Sequence, residues 1–260
     1  MGPPPRPDRP PRELPPSRRI ARELRRAILD GQLAPGALLP SERELARTYG
    51  SARNTARQAI AILQAEGLVD AQHGRGVFVR QRRPVVRRRH DRYSRRHRAA
   101  GWTPFRAEVE AQGRVPGVEV TAIEQIPAPD WVAERLSLAA AEPVLRRHNR
   151  YLVDGEPAQL VDTYLPLAIA DGTPLAQEHP VPGGIHAALE RLGHQLTRID
   201  QEVTARMPLP EEIDGLVLTI GVPVIDVRHT GYDDRGAAIE VTHAILAADR
   251  NALTFELPVD

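Results

Sequence analysis

Residues 39–79 read LPSERELARTYGSARNTARQAIAILQAEGLVDAQHGRGVFV, and the fold of the first third turns on them. Ser41 and Glu44 have the spacing of a capping box, in which each side chain satisfies a free amide at a helix start. A short helix follows, with Leu45 and Tyr49 on one face and Gly50 as its stop. SARNTARQAI, residues 51–60, opens the next helix, which runs to about Glu66 with Ala59, Ile60 and Leu63 as its buried stripe. LVDA and VFVR then read as two short strands joined by QHGRG, whose glycines allow the positive φ of a hairpin. Upstream, Ser17 is placed to cap a helix in which Ile20, Leu24, Ala27 and Ile28 form one stripe, closed by Gly31. Three helices and a hairpin predict a winged helix-turn-helix.

Outward from this stretch, charge divides the chain. Residues 1–98 hold 23 Arg against 9 Asp and Glu, a balance of +14; the remaining 162 residues hold 12 against 25, or −13, giving the overall +1. Every cation of this basic third is arginine, which binds phosphate in a bidentate fork and stacks on bases, so a polyanionic partner is expected. With 260 residues and 41% hydrophobic content, the chain can bury the cores of two ordinary domains. The absence of cysteine excludes disulfides, thiolate metal sites and cysteine nucleophiles. No apolar run approaches the ~18 residues of a membrane span, and no signal-peptide core opens the chain, so a cytoplasmic protein without membrane partners is expected.

Residues 1–16 carry eight prolines and predict an extended, disordered tail. The head is expected at 17–80 and a basic linker at 81–98, QRRPVVRRRHDRYSRRHR, whose arginines would meet phosphates. Residues 99–260 then alternate strand and helix patterns. Strands are expected at 116–126, 144–153, 158–165, 198–206, 222–232 and 237–247, with hairpin turns at DGEP and DDRG. Helices are expected at 129–138, 185–192 and in LPEEIDGLVL. The second domain therefore reads as α+β with a mostly antiparallel sheet. Trp102, Phe105, Trp131 and Phe255 are expected in its core or at an interface.

A recognition helix enters the major groove N-terminus first, so side chains of its opening turns meet base edges. Arg53 and Arg57 lie four apart on one face with Asn54 and Thr55 beside them, and an arginine can grip guanine O6 and N7 together.

The run from Leu39 to Val79 resembles the winged-helix signature of GntR-family bacterial transcription regulators, and the likeness extends from Ile20. RYLVDGEPAQLVDTYLP, LTIGVPVIDVRHTGYDDRGAAIEV and the late ADR resemble the effector-binding (UTRA) domain of the HutC-type subfamily, a fold shared with chorismate lyase. The resemblance implies a homodimer that binds double-stranded operator DNA and responds to a small-molecule effector, without a cofactor. It makes Arg43, Arg53 and Arg57 the main DNA contacts and puts Thr55 on a phosphate. His73 and Gly74 would touch the minor groove or the backbone, with Arg75 nearby. The chain departs from the family at Ser51-Ala52, where a valine and then a serine or threonine are usual. Ala52 cannot cap the helix, a loss of ~1 kcal/mol. A helix begun one residue earlier at Ser51 would turn its face by ~100° and change the operator read.

For the effector, the resemblance implies a pocket between strands in which arginines and backbone amides hold an anionic group. Candidates by position are Arg92 and Ser94 in the entry loop, Arg147 and Asn149 on the first hairpin, Tyr164 across from them, and Arg228, Tyr232 and Glu240 on the last. Alternation puts Arg147 and Asn149 on one face and Arg146, His148 and Arg150 on the other, and only one set can face the pocket. Arg147 with Asn149 stands where the family has an arginine pair, which argues against a phosphosugar. HGRGVF lacks the third glycine of a dinucleotide loop, there is no Gly-x-Ser-x-Gly elbow, and the nine histidines include no His-x-x-x-His pair, which argues against zinc. The functional expectation is a ligand-responsive regulator, a repressor on a pseudo-palindrome. Two alternatives stand beside it: a constitutive DNA-binding protein whose second domain only dimerises, and an enzyme using lyase-type or hydrolytic chemistry.

Overall fold

A computed structural model describes residues 14–80, 84–88 and 103–256, and the chain falls into two compact units, 1–82 with 219–221 and 83–218 with 222–260. The expected tail before residue 14, linker residues 81–83 and 89–98, Arg92, Ser94 and Trp102 lie outside the described residues.

The first unit is a winged helix-turn-helix. α1 (Pro16–Leu29), α2 (Glu42–Thr48) and α3 (Arg53–Ala65) bury Ile20, Leu24, Leu45, Ala56, Ala59, Ile60 and Leu63 against one another. The wing is an antiparallel pair, β1 (Val69–Gln72) and β2 (Gly76–Val79), whose Val69 and Val79 seal the same core. At the turn Gly74 has φ +71°, a conformation that glycine adopts without strain. The capping box of α2 forms: Glu44 N donates to Ser41 Oγ at 3.3 Å, and Ser41 N to Glu44 Oε2 at 2.8 Å.

Two local expectations change. Ser17 does not cap α1 but sits inside it; Pro16 starts the helix because its fixed φ suits the first turn, where its missing N–H is no loss. At α3 the earlier start at Ser51 is not taken. Ala52 is the N-cap, with extended backbone (φ −70°, ψ 148°) and no side-chain bond, and helical residues begin at Arg53. Ser51 Oγ is buried with no hydrogen-bond partner. The hydroxyl is present one position too early to reach the helix amides.

The second unit is α+β, as expected. Its sheet has the order β4-β5-β6-β9-β8-β7, all neighbours antiparallel: β4 (Pro116–Pro127), β5 (Pro143–Val153), β6 (Glu156–Pro166), β9 (Ala238–Ala247), β8 (Val224–Asp233) and β7 (Leu196–Arg206). α4 (Pro104–Glu110) is capped by Thr103 and buries Phe105 and Val109. α5 (Asp130–Leu136) covers one face of the sheet with Trp131, Val132 and Leu136 against Val144, Tyr164 and Val241. α6 (Leu167–Ala170), a 3-10 turn (Pro174–Ala176) and α7 (Gly184–Arg191) cover the other face, over Leu145, Leu165 and Ile239. α8 (Pro210–Leu216) packs Leu216 with Val224 and Ile245. Phe105 joins the core, whereas Phe255 is 54% exposed.

Part of the expected linker is structured. Val85–Arg88 form strand β3, paired in parallel with β10 (Asn251–Thr254), and Val85 and Arg87 are buried while Val86 faces out. Alternation within VVR supplies an apolar inward position next to an inward arginine, so the second unit reaches back to residue 83.

Candidate functional site

In the head, Arg43 of α2, Arg53 and Arg57 of α3 and Arg75 of the wing line one groove of about 510 Å³. Four cations from three elements converge because the capping box fixes where α2 begins and the wing turn lies beside α3. Asn54, His73 and Gly74 are exposed and Thr55 is half-buried, and none of the four lines the groove itself. Arg53 and Arg57 share one acid: Arg53 Nε donates to Glu42 Oε2 at 2.9 Å, Arg57 Nε to Oε1 at 2.9 Å, and Arg57 Nη2 to Oε2 at 3.1 Å. Those bonds, from Arg57 first, hold the Glu42 carboxyl below its ordinary range. The two arginine side chains remain 69% and 61% exposed. Exposed ion pairs contribute little, so a guanine edge or a phosphate can displace the carboxylate.

In the second unit the sheet sorts the expected effector residues by face. Arg147 pairs in register with Thr163, Thr163 with Thr242, and Thr242 with His229. This row lies under α7, and a cavity of about 110 Å³ opens there, lined among others by Arg87, Tyr151, Thr163, His186, His229 and Glu240. Glu240, one of the expected effector residues, lines this cavity. Arg147 and Asn149 line an adjoining space of about 50 Å³, sharing Tyr151, Gly184 and Ile185 with the first. Arg147 is nonetheless committed: its guanidinium donates to the carbonyls of Leu175, of Gln177 at 2.9 Å and of His179 at 2.9 Å. It pins the segment before α7, and burial lowers its pKa.

Tyr164, Arg228 and Tyr232 fall on the opposite face, away from the cavity, because the strand period is two. Tyr164 stacks edge-on against Trp131 with centroids 5.7 Å apart, and Arg228 lies 5.0 Å over the same indole. Tyr232 carries Arg198 over its ring at 3.8 Å. Arg146, His148 and Arg150 share this face and pair with Asp162, Asp162 and Glu119.

The sequence reading missed Arg87, His186 and His229. By sequence Arg87 reads as one more arginine of the basic linker; in the structure it is 1% exposed, donates to Gln159 Oε1 at 2.9 Å and stands 5.4 Å over the Phe105 ring. The valines at 85 and 86 were the available signal. Glu240 is 1% exposed and its Oε1 meets two imidazoles, His186 Nε2 and, at 3.2 Å, His229 Nε2. Burial pushes its carboxyl up, but the two histidines override this and hold it below the ordinary range. A β-bulge aims the carboxylate. Gly231 pairs with Glu240 and Tyr232 with Ala238, so Ile239 is left over and turns into the core beside Leu165 and Leu189. Gly231 also leaves room, since a methyl group there would lie 2.9 Å from Glu240 Cγ. The N-cap Gly183 and the first-turn residues Gly184, Ile185 and His186 of α7 border the cavity; Gly184 N donates to the Val181 carbonyl at 2.8 Å, and the amides of Ile185 and His186 have no intrahelical acceptor. Among the described residues no helix is long and apolar enough to cross a membrane.

The chain is similar to known regulators throughout this architecture. Residues 16–79 match the family model "Bacterial regulatory proteins, gntR family", and residues 111–251 match the UTRA domain. An HTH-type transcriptional regulator of Rhizobium meliloti is 30% identical over 244 residues, covering 92% of this chain and 93% of the relative. The HTH-type transcriptional repressor NagR of Bacillus subtilis is 27% identical over 232 residues, covering 89% and 90%. A crystal structure of a GntR-family transcriptional regulator is 32% identical, covers 95% of this chain and 99% of its own, and superposes with a TM-score of 0.67. The chain belongs to the GntR family of bacterial transcription regulators, with a DNA-binding winged head followed by a UTRA effector-binding domain.

Proposed function

We infer that the chain is a cytoplasmic, homodimeric repressor that reads a pseudo-palindromic operator and is released by a small effector carrying an anionic group. The observation that carries the reading is the groove in which Arg43, Arg53, Arg57 and Arg75 converge with their charges outward. Arg53 and Arg57 are assigned to base edges, Arg43 and Thr55 to the operator beside them, and Asn54, His73, Gly74 and Arg75 to the flanking groove and backbone. The effector is assigned to the cavity under α7, where Arg87 and the first-turn amides favour an anion. Its volume suits a small ligand and not a drug-sized one. Arg92 and Ser94 are retained as effector contacts on the resemblance alone. Tyr164 and Arg228 are assigned to the packing of α5 instead, and Tyr232 to its stacking with Arg198.

Operator fragments selected from random DNA by the full-length chain supply the test. Arg53→Ala should lose ~1–3 kcal/mol of discrimination between operator and random DNA, the value of one bidentate base contact. Equal losses on both DNAs would remove Arg53 from base reading. A selected site without dyad symmetry would break the dimer reading, and DNA binding indifferent to every anionic metabolite screened would favour a constitutive regulator. Trimming residues 81–89 would remove β3 as well as linker charge, so the salt slope of the linker is better tested by neutralising arginines outside 85–88.

A further inference from the structure

We propose that His186, His229 and Glu240 form a binding site for a divalent transition metal ion, of the zinc or nickel class, in the cavity of the UTRA domain. The two imidazole Nε2 atoms converge on the same carboxylate oxygen, and the three ligand atoms lie within 4.8 Å of one another. Two imidazoles and a carboxylate are the donor set that selects such ions over magnesium or calcium. Ligand atoms ~2.0–2.1 Å from a tetrahedral ion stand ~3.3 Å apart, and the His229–Glu240 separation is already 3.2 Å. The His186–Glu240 contact is shorter and opens by rotation of one imidazole to admit the ion.

The surroundings fit the assignment. The side chains are 13%, 10% and 1% exposed, so the ion would exchange a carboxylate stabilised by two imidazoles for one stabilised by a cation in the same dry place. Each ligand stands on a different regular element, α7, β8 and β9, and the bulge at Ile239 together with the bare Gly231 fixes where the carboxylate can go. The cavity provides the room that a three-ligand site needs for its remaining positions. At ~10–15 Å³ for each water, about 110 Å³ holds the waters or small anion that would complete the shell. A dication on one carboxylate leaves a positive centre facing that space. Spacing along the chain conceals the set, since the histidines stand 54 and 11 residues from Glu240.

The full-length chain, stripped with chelator and studied without DNA or effector, tests this independently of the repressor reading. Zinc titrated into it by calorimetry should bind once per chain, and cobalt should give the intense visible bands of a four- or five-coordinate site. His186→Asn, His229→Asn and Glu240→Gln should each weaken zinc by more than the ~10–100-fold that loss of an outer-shell partner produces. His73→Asn and His179→Asn, on other surfaces, should leave it unchanged. No zinc uptake, uptake that survives all three ligand substitutions, or a cobalt spectrum of the weak octahedral type would overturn the proposal. The cobalt spectrum is read on the unaltered chain, so it decides even where a variant fails to fold.

Discussion

The two functional regions of this chain are built on opposite plans. In the head, the groove arginines proposed to meet DNA lie within 33 positions of one another, and Arg53 and Arg57 stay more than half exposed while resting on a single acid. In the UTRA domain, the polar centre is a buried carboxylate whose partners come from α7 and β8. The head reads a partner that arrives from outside, so its chemistry can sit on the surface of a small helical core. The proposed effector cavity of the UTRA domain is enclosed, and buried polar groups persist only where neighbours satisfy them. An exposed reading surface follows helix spacing, while an enclosed one follows topology.

The largest expected effect separates the two regions energetically. Leu63 is fully buried in a head core made only of residues 20–79. Leu63→Ala should destabilise the head by ~2–5 kcal/mol through lost burial and a cavity. Calorimetry of the full chain should show one early transition, with effector-domain melting unmoved. A single shifted transition would show that the cores are not independent.

Next in size is Gly231→Ala, which strikes the enclosed region alone. The added methyl meets Glu240 Cγ at 2.9 Å and Leu196 Cδ1 at 3.0 Å, and overpacking of this kind costs ~1–3 kcal/mol. Melting of the UTRA domain in the full-length chain should fall while melting of the head stays the same. An unchanged melting temperature would mean that Glu240 moves aside freely, and would weaken the case for a carboxylate held in one place.

The same contrast explains what was legible in the sequence. The head could be read almost residue by residue, because capping boxes, stripes and glycine stops are local signals, and its four groove arginines were all named or placed beside named ones. The sheet strands were legible too, from alternation and turn chemistry. What failed were statements that needed three dimensions. Tyr164, Arg228 and Tyr232 have the right residue types on the right hairpins, but strand parity turns them to the face away from the cavity, Tyr164 and Arg228 against Trp131 and Tyr232 under Arg198. Arg87 looked like one more linker charge, because a four-residue strand whose partner lies 166 positions away leaves no periodic trace. His186 sits on a helix outside the quoted hairpins, and Ile239 shifts the register that would have aligned Glu240 with its neighbours.

A smaller effect returns to the start of the recognition helix. Ala52 has the extended backbone of an N-cap and no acceptor, so Ala52→Ser should stabilise the head by ~1 kcal/mol. Because α3 already begins at Arg53, the operator chosen from random DNA should not change. A changed operator would show that the missing cap had been setting the angle of Arg53 and Arg57.

The smallest effect is expected at Glu42, and it probes how the exposed plan works. Glu42→Gln keeps the shape of the acceptor but removes the charge that both arginines share. Released guanidiniums meet phosphates more readily, so affinity for random DNA should rise a few-fold with a steeper salt slope. Operator preference should fall, because two arginines no longer wait in the geometry that base edges require. The pH dependence has a definite sign. Glu42 is held below its ordinary pKa, so the pairing is intact above ~4.3 and is lost only as pH falls through the lowered value. Operator affinity should therefore show no pH dependence from Glu42 between pH 6 and 8, in the wild type or the variant. Filter binding at three pH values and three salt concentrations checks both halves. If Glu42→Gln strengthened operator and random DNA equally, Glu42 would be a competitor for the arginines and not their positioning group.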